Sequence, residues 1–387
     1  MRYYFVNKYF YPDLSATSQK LTELTDDLEL KEMHVVTNRY LYRAEGKLDK
    51  VEEHNGVIIH RIPSLRSADN LLSKVLSALT FYISLLVFLV VNLRKGDVLI
   101  AKTDPPMLSL ILLPVMKIKS IRMVNWLQDI FPEIAMRLDY PFLKGFFAKA
   151  LISLRNYSLN HADRNVVVSE DMRKYLVESG VKPEKISVVH NWCSDAIKKI
   201  GRKNKAFNFP EHKKIIMYAG NMGRAHEFYE FGKLICEVSR QDEFCVVFIG
   251  GGVGFSYLKK MTNEKALKNI IFTDYVDGSQ LNELLNAADI HLISMRKGFQ
   301  DCLMPSKLYC ILNVRKPIMF IGDVSSSLAN LIAQYDLGLA IAEVDRETII
   351  DKLRITAEKT QTDDLTSLFN MKKSVDMWQD ILEDTAR

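Results

Sequence analysis

The sequence predicts an α/β protein built from two doubly wound parallel sheets in succession. Three observations carry that expectation. Short apolar strand candidates alternate with helical stretches along most of the 387 residues. The candidates are apolar throughout rather than alternately apolar and polar, the pattern of strands covered by helices on both faces. The alternation pauses once, in a polar and basic stretch broken by a proline, and then restarts.

Taken in order, the first set of strands is Tyr3–Tyr9, His34–Thr37, Val57–Ile62, Asp97–Lys102, Ile121–Leu127, Asn165–Val168 and Ile186–Asn191. Helix-like runs such as SATSQKLTELTDDLEL and PFLKGFFAKALISLRNYSLNHA separate them. The pause is Cys193–Lys214, read as a linker. The second set is IIMYAGN, CVVFIGGG, IIFTDYV, DIHLIS, PIMFIG and GLAIA. The expected domains are therefore 1–195 and 196–365, with a helix over 366–387 returning to the first. Two such domains are expected to face each other across a cleft, with ligands beyond the strand C-termini.

Composition narrows the function classes. With 48% hydrophobic and 26% charged residues, the chain is an ordinary globular protein and not a disordered one. A net charge of +5 is too mild for a nucleic-acid partner. Five cysteines without a CxxC pair disfavour disulfide frameworks and zinc sites, and point to a reducing cytosol. The N-terminus MRYYFVNKYFYPDLS has no uninterrupted apolar core of the signal-peptide kind.

One segment complicates a soluble reading. Val75–Leu93 has 19 residues and no charge. Three readings compete: a buried core helix, a helix resting on a membrane surface, and a span. The span is opposed by topology, because flanking strands of one sheet need a crossover helix packed on that sheet. The neighbourhood is basic: seven Lys or Arg between Leu71 and Arg122 stand against Asp97 and Asp104. That suits an anionic membrane face or a solvated surface.

The loops after strands hold the chemistry. In IIMYAGNMGRAHEF, Gly220 and Gly223 let backbone approach a ligand, and Arg224 offers a fork for phosphate oxygens. A plain glycine turn with a surface arginine fits as well. CVVFIGGGVGF repeats the device with Gly250, Gly251, Gly252 and Gly254, and Asp274 follows downstream. Its spacing is GxGxG, not the GxGxxG of a dinucleotide site. In FQDCLMPSKLYCILNVRKPIMF, Asp301, Ser306 and Lys307 gather at a helix start, with Ser306 as N-cap. A lysine in a first helical turn opposes the macrodipole, which suggests an anionic partner such as a diphosphate; a solvated lysine is the alternative. In NWLQDIFPE, Asp129 either handles a proton or hydroxyl, or caps the next helix. TDPP reads as structural. The histidines, among them His190, His226 and His291, form no metal-ligand spacing and read as local hydrogen-bonders. GxxxxGK[ST], HExxH, GxSxG and DxD are all missing.

With these loops in place the chain resembles a retaining glycosyltransferase of family four, with the two-domain, Rossmann-like GT-B fold. More narrowly it is similar to bacterial transferases that build O-antigen, capsule and colanic acid. The resemblance runs in order from NKYFYPDLSATSQKLTELTDDL through NWLQDIFPE, VVVSEDMRKYLVESGVKPEKISVVHNW, YAGNMGRAHEF, FIGGGVGF and DYVDGSQLNELLNAADIHLISM to MPSKLYCILNVRKPIMF.

The resemblance implies the following. The second domain binds a nucleotide sugar, UDP by family habit, without a metal or other cofactor. Asn221, Gly223 and Arg224 lie near the diphosphate or sugar, and Gly251 and Gly252 line the donor site. Tyr275 and Val276 border the base. Ser306 and Lys307 contact the diphosphate. Ala16 and Thr17 approach the phosphates from the first domain, and Asp129 faces the acceptor or the transferred sugar. The acceptor is a lipid-linked, undecaprenyl-type saccharide at the cytoplasmic face of the inner membrane, where the protein sits peripherally.

The pattern also departs from the family. A glutamate pair separated by seven residues, the second of which grips the donor ribose, is here Cys302 and Cys310. The first-strand loop lacks paired glycines, and Gln128 stands where a histidine is common. Three rival readings follow: a nucleotide-sugar epimerase of the same fold, a dinucleotide oxidoreductase resting on GGGVG, and a binding subunit without turnover.

Overall fold

The computed structural model of the protein describes every residue except 43–45, 68–69, 141–142, 201–206, 360 and 362–363. Contacts divide the chain into two units. Unit 1 holds Met1–His190, Asp301–Leu303 and Ser374–Arg387; unit 2 holds Asn191–Gln300 and Met304–Lys373.

Unit 1 is built on eight strands: β1 (Tyr3–Val6), β2 (Met33–Asn38), β3 (Val51–His54), β4 (Val57–Ile62), β5 (Val98–Lys102), β6 (Arg122–Leu127), β7 (Arg164–Val167) and β8 (Ile186–Val188). Their order is β3-β4-β2-β1-β5-β6-β7-β8. All pairings are parallel except β3–β4. β1 and β5 lie side by side and are buried along their whole length, which is why both read as unbroken apolar runs. The helix Leu71–Asn92 seals one face by burying Phe81, Leu85 and Leu89 against Tyr4, Val6 and Leu99. The helix Met371–Ala386 buries Trp378, whose ring centroid lies 4.8 Å from that of Trp126.

Unit 2 carries β9 (Lys214–Asn221), β10 (Phe244–Gly251), β11 (Ile270–Thr273), β12 (Ile290–Ser294), β13 (Ile318–Ile321) and β14 (Gly338–Ile341). The order is β11-β10-β9-β12-β13-β14, parallel throughout. Hydrophobic cores cover both faces. One gathers Tyr218, Phe231 and Phe248, and the other Met217, Val247 and Leu284.

The structure corrects several expectations. The hairpin strand β3 went unpredicted because its sequence, VEEH, is charged and half exposed. Its signal was the Asn55-Gly56 turn, where both residues have positive φ. β1 stops at Val6, since Asn7 turns its side chain to the Tyr9 carbonyl. The terminal run is two helices, Asp364–Leu368 and Met371–Ala386. The expected linker begins as part of unit 2: Lys198 and Ile200 donate their N–H groups to Asn282 and Asn286 side chains at 2.9 and 3.0 Å. Residues 201–206 of that linker, and 141–142 of an expected helix start, lie outside the described residues. The absence of disulfides is also overturned. Cys193 and Cys310 are bonded, with Cα atoms 4.9 Å apart. Spacing rules missed the pair because 117 residues separate them in sequence.

Candidate functional site

The strand order of unit 2 reverses between β9 and β12. Open parallel sheets bind ligands at such a point, beyond the strand C-termini. Three loops converge there.

Lys307 opens the helix Lys307–Val314. Its Nζ is shut off from solvent and has no hydrogen-bond partner among the described residues. It lies 3.3 Å from the ring centroid of Tyr218. Burial pushes its pKa well below the usual lysine range. Tyr218 is fully buried, and its hydroxyl donates to the Asn221 carbonyl at 3.0 Å. A ring face offers such a cation only about 2 kcal/mol, far less than the desolvation of an ammonium. The site is one anion short.

The glycine loops shape the space beside it. A Cβ on Gly220 would come within 3.7 Å of Lys307 Nζ. Gly250 and Gly252 have φ of +126° and +108°, and a Cβ there would strike Gly220 O at 2.4 Å and Met222 O at 2.6 Å. The loops after β9 and β10 thus run backbone to backbone, tied by Met222 N–H to Gly251 O at 2.7 Å. This close approach accounts for GGGVG without a dinucleotide. The Tyr275 ring, half exposed, lies 3.5 Å from where a Gly251 Cβ would be. His226 Nδ1 donates to the Ser294 carbonyl at 2.8 Å. Burial, aided by the Lys307 charge, lowers it to about 4 and keeps it neutral.

Asn221, Gly251, Gly252, Tyr275 and Lys307 therefore share one neighbourhood. Other candidates stand differently. Arg224 projects an exposed side chain, while its carbonyl accepts from Arg296 at 3.3 Å. Gly223 has an ordinary φ and room for a Cβ. Ser306 occupies the N-cap position, but its backbone is already helical and its side chain caps nothing, so the capping expectation is wrong. Val276 packs onto the core beneath β9 and β10. Asp301 does not sit at the helix start. It forms a two-pronged ion pair with Arg137, one contact at 2.8 Å, and belongs to unit 1. Arg137 also donates to Cys302 Sγ at 2.7 Å.

Unit 1 has its own reversal point, between β1 and β5. Lys8 follows β1, Asp104 follows β5 and Asp129 follows β6. The Lys8 amide donates to the Asp104 carbonyl at 2.8 Å. Burial lifts the Asp104 carboxyl to about 6 despite the Lys8 and Lys102 charges. Crowding also lifts Asp129 to about 6, with the Asp104 charge a smaller cause. Solvent still reaches the Asp129 side chain, which moderates that rise but keeps its direction. Asp129 is no helix cap: Pro132 holds the N-cap position of Glu133–Arg137. Ala16 and Thr17 open the helix Ala16–Asp27, and the Thr17 carbonyl accepts from buried Lys102 at 2.5 Å. Ser15 and Ser18 hydroxyls there are buried without a partner among the described residues. A cavity of about 40 Å³ beside Asp129, lined also by Lys102 and Asn125, has room for a water molecule and is too small for a sugar.

The Asp129 loop is braced from below. Glu133 accepts from Arg155 at 2.6 Å and from the Tyr175 hydroxyl at 2.7 Å, with Glu133 and Arg155 both buried. Among the described residues no group of three or more His, Cys, Asp and Glu could hold a metal ion. Sequence reasoning missed Tyr218, Lys8 and Asp104. Tyr218 read as one more apolar strand residue, and Asp104 sat in a loop taken as structural.

Comparison with known proteins adds the following. Residues 18–192 match the glycosyl transferase 4-like domain, and residues 200–361 match glycosyl transferases group 1. The probable glycosyltransferase WbjE of Pseudomonas aeruginosa is 24% identical over 250 residues, 63% of this chain and 62% of that one. The putative colanic acid biosynthesis glycosyl transferase WcaI of Escherichia coli K12 is 25% identical over 211 residues, 53% of this chain and 51% of that one. The alignments thus span between half and two thirds of these curated relatives. HepE of Anabaena, solved in complex with UDP-glucose, shares the fold with a TM-score of 0.68 over 99% of this chain and 100% of that one, at 11% identity.

Proposed function

The chain belongs to the GT-B glycosyltransferases, and from that premise we propose that it moves a hexosyl residue from a UDP-sugar to a lipid-linked saccharide, with retention of configuration, in surface polysaccharide synthesis. The observation that carries the reading is Lys307, a buried lysine whose amine has no hydrogen-bond partner among the described residues, set at a helix start beside two glycine loops. A diphosphate supplies the missing anion. The likeness to HepE, bound to UDP-glucose, favours UDP. The likeness to WcaI favours a saccharide acceptor, and the apolar helix Leu71–Asn92 favours one held by a lipid at the cytoplasmic face of a membrane.

The chemistry follows from these residues. In a retaining transfer without a protein nucleophile, the diphosphate departs as the acceptor hydroxyl approaches the same face of the sugar. Catalysis is then orientation plus stabilisation of the charge that grows on the leaving group. Lys307 and the amides of its helix start stabilise that charge without a metal, and Arg224 reaches in from an exposed position. Tyr275 gives the base an aromatic face. Asp129 receives or orients the acceptor hydroxyl, a role its raised pKa suits.

Thermal shift with UDP and UDP-sugars, followed by release of UDP on adding acceptor, tests the reading. Lys307→Ala should weaken donor binding by roughly 10²-fold, a charged hydrogen bond being worth about 1.5–3 kcal/mol. Unchanged affinity and turnover would sink the assignment. One observation favours a second reading: Cys310 is bonded to Cys193 where the family has a ribose-gripping glutamate. A binding subunit would show the thermal shift and never release UDP.

A further inference from the structure

The proposed transfer makes no use of the bonded pair Cys193–Cys310, yet the bond reaches the helix that carries Lys307. Cys310 stands three residues after Lys307, so the two side chains leave one face of that helix a turn apart. The other end of the bond is a fixed point. Asn191, Trp192 and Cys193, the first residues of unit 2, are all buried.

The first turn of the Lys307 helix has little of its own to hold it. The helix has eight residues, fewer than the roughly 12–15 below which helices alone are marginal in water. Ser306 at the N-cap makes no side-chain cap bond, and the first turn holds no acidic residue. The buried Lys307 amine, without a hydrogen-bond partner among the described residues, favours a move of the same turn toward solvent. Leu308, Ile311 and Leu312 anchor the inner face. Cys310 adds a covalent tie to the turn itself.

We infer that the Cys193–Cys310 bond is a redox switch on donor binding. Oxidised, it fixes the first turn of the Lys307 helix. Reduced by a cellular dithiol or by glutathione, it lets that turn loosen and the diphosphate site weaken. The inference rests on the proposed donor role of Lys307 and on the proposed cytoplasmic placement. That placement decides between a switch and a permanent staple: disulfides of the cytosol are mostly transient, catalytic or redox-sensing, and static ones belong to oxidising compartments.

Access agrees with this. Cys310 is partly exposed and Cys193 only 2% exposed, so Cys310 is the open end of the bond. A thiolate of the reductant attacks the Cys310 sulfur, the S–S bond breaks, and Cys193 leaves as a thiolate that takes up a proton. A second thiol of the reductant then attacks the mixed disulfide, frees Cys310 as a thiol and departs within a new disulfide. Two electrons and two protons pass from the reductant to the protein. Cys245 and Cys302 stay out of the exchange: both are buried, and burial pushes their thiols up to about 11 and about 12.

The test uses the full chain, equilibrated with oxidised glutathione or with dithiothreitol, and measures UDP binding by calorimetry well below the melting temperature. Alkylation after denaturation counts the thiols. Three are expected in the oxidised form and five in the reduced one, since Cys236, Cys245 and Cys302 are free and the bond hides two. The reduced form should bind UDP about fivefold or more weakly, and reoxidation should restore the affinity. Cys310→Ser should bind like the reduced form and ignore dithiothreitol, whereas Cys236→Ser should keep the response. Equal UDP affinity in the two forms, with only the melting temperature changed, overturns the inference and leaves the donor reading standing, the bond then being a structural staple. Unfolding on reduction overturns it in the same way, as does a bond that survives excess reduced glutathione in the folded chain. Five thiols after oxidation would mean that the bond does not form, which also overturns it. UDP binding in neither form sinks the donor reading and the inference together.

Discussion

In the proposed transfer, Lys307 and Asp129 would respond to pH in opposite senses. The Lys307 ammonium is held below its usual range by burial, and an arriving diphosphate favours its charged form. Binding of UDP-glucose should therefore take up a proton, and affinity should fall as pH climbs through the lowered lysine pKa. Titration calorimetry in buffers of different ionisation enthalpy reads the uptake, and Lys307→Met should abolish it. Asp104 is held near 6, and Asp129 is raised in the same direction, above the ordinary carboxyl value of about 3.9. The folded chain then keeps protons that the unfolded chain has released between about pH 4 and 6. These two groups stabilise the fold below that window, and the contribution is lost as pH rises through it. Melting temperatures of Asp129→Asn and Asp104→Asn should show a shallower slope there. If Asp129 accepts the acceptor proton, kcat/KM should also fall below about pH 6, where the carboxyl is protonated.

At the scale of elements, the short helix Glu133–Arg137 and the terminal helix Met371–Ala386 hold unit 1 in shape. Glu133→Ala leaves the Arg155 guanidinium buried without its carboxylate, a loss of about 3–5 kcal/mol. Urea melts should show it, and Glu133→Ala/Arg155→Met should recover part. Trp378→Ala empties a wholly buried site against Trp126, for about the same loss. Such elements also show what a sequence makes legible. Both sheets were readable because parallel strands buried on two faces are apolar runs, as β5 and β12 are. Lys307 and the glycine loops were readable because each residue type contradicts its local setting unless a ligand or a second backbone is near. Three features were not readable, because each depends on residues far apart in sequence: the cation–π pair of Lys307 with Tyr218, the Asp301–Arg137 ion pair, and the Cys193–Cys310 bond. Asp301 looked like part of the lysine's helix start only because it is six residues away along the chain.

At the scale of the molecule, each unit has its own hydrophobic cores. Calorimetry should resolve two unfolding transitions, and UDP should raise the one that belongs to unit 2 by binding its folded form alone. Equal displacement of both would mean that the two unfold as one. The units also differ in how the chain supplies them. Unit 2 is nearly a single stretch, whereas unit 1 needs Trp378, nearly two hundred residues beyond its first segment. On a ribosome adding roughly 5–20 residues per second, the first segment waits about 10–40 s for its last helix. All that time the seat of an indole against Trp126 stays uncovered in the nascent chain. Unit 2 should therefore reach protease resistance during synthesis before unit 1 does, although unit 1 is made first. Stalled nascent chains ending near residue 370, exposed to protease, would show the later-made half surviving while the earlier-made half is cut.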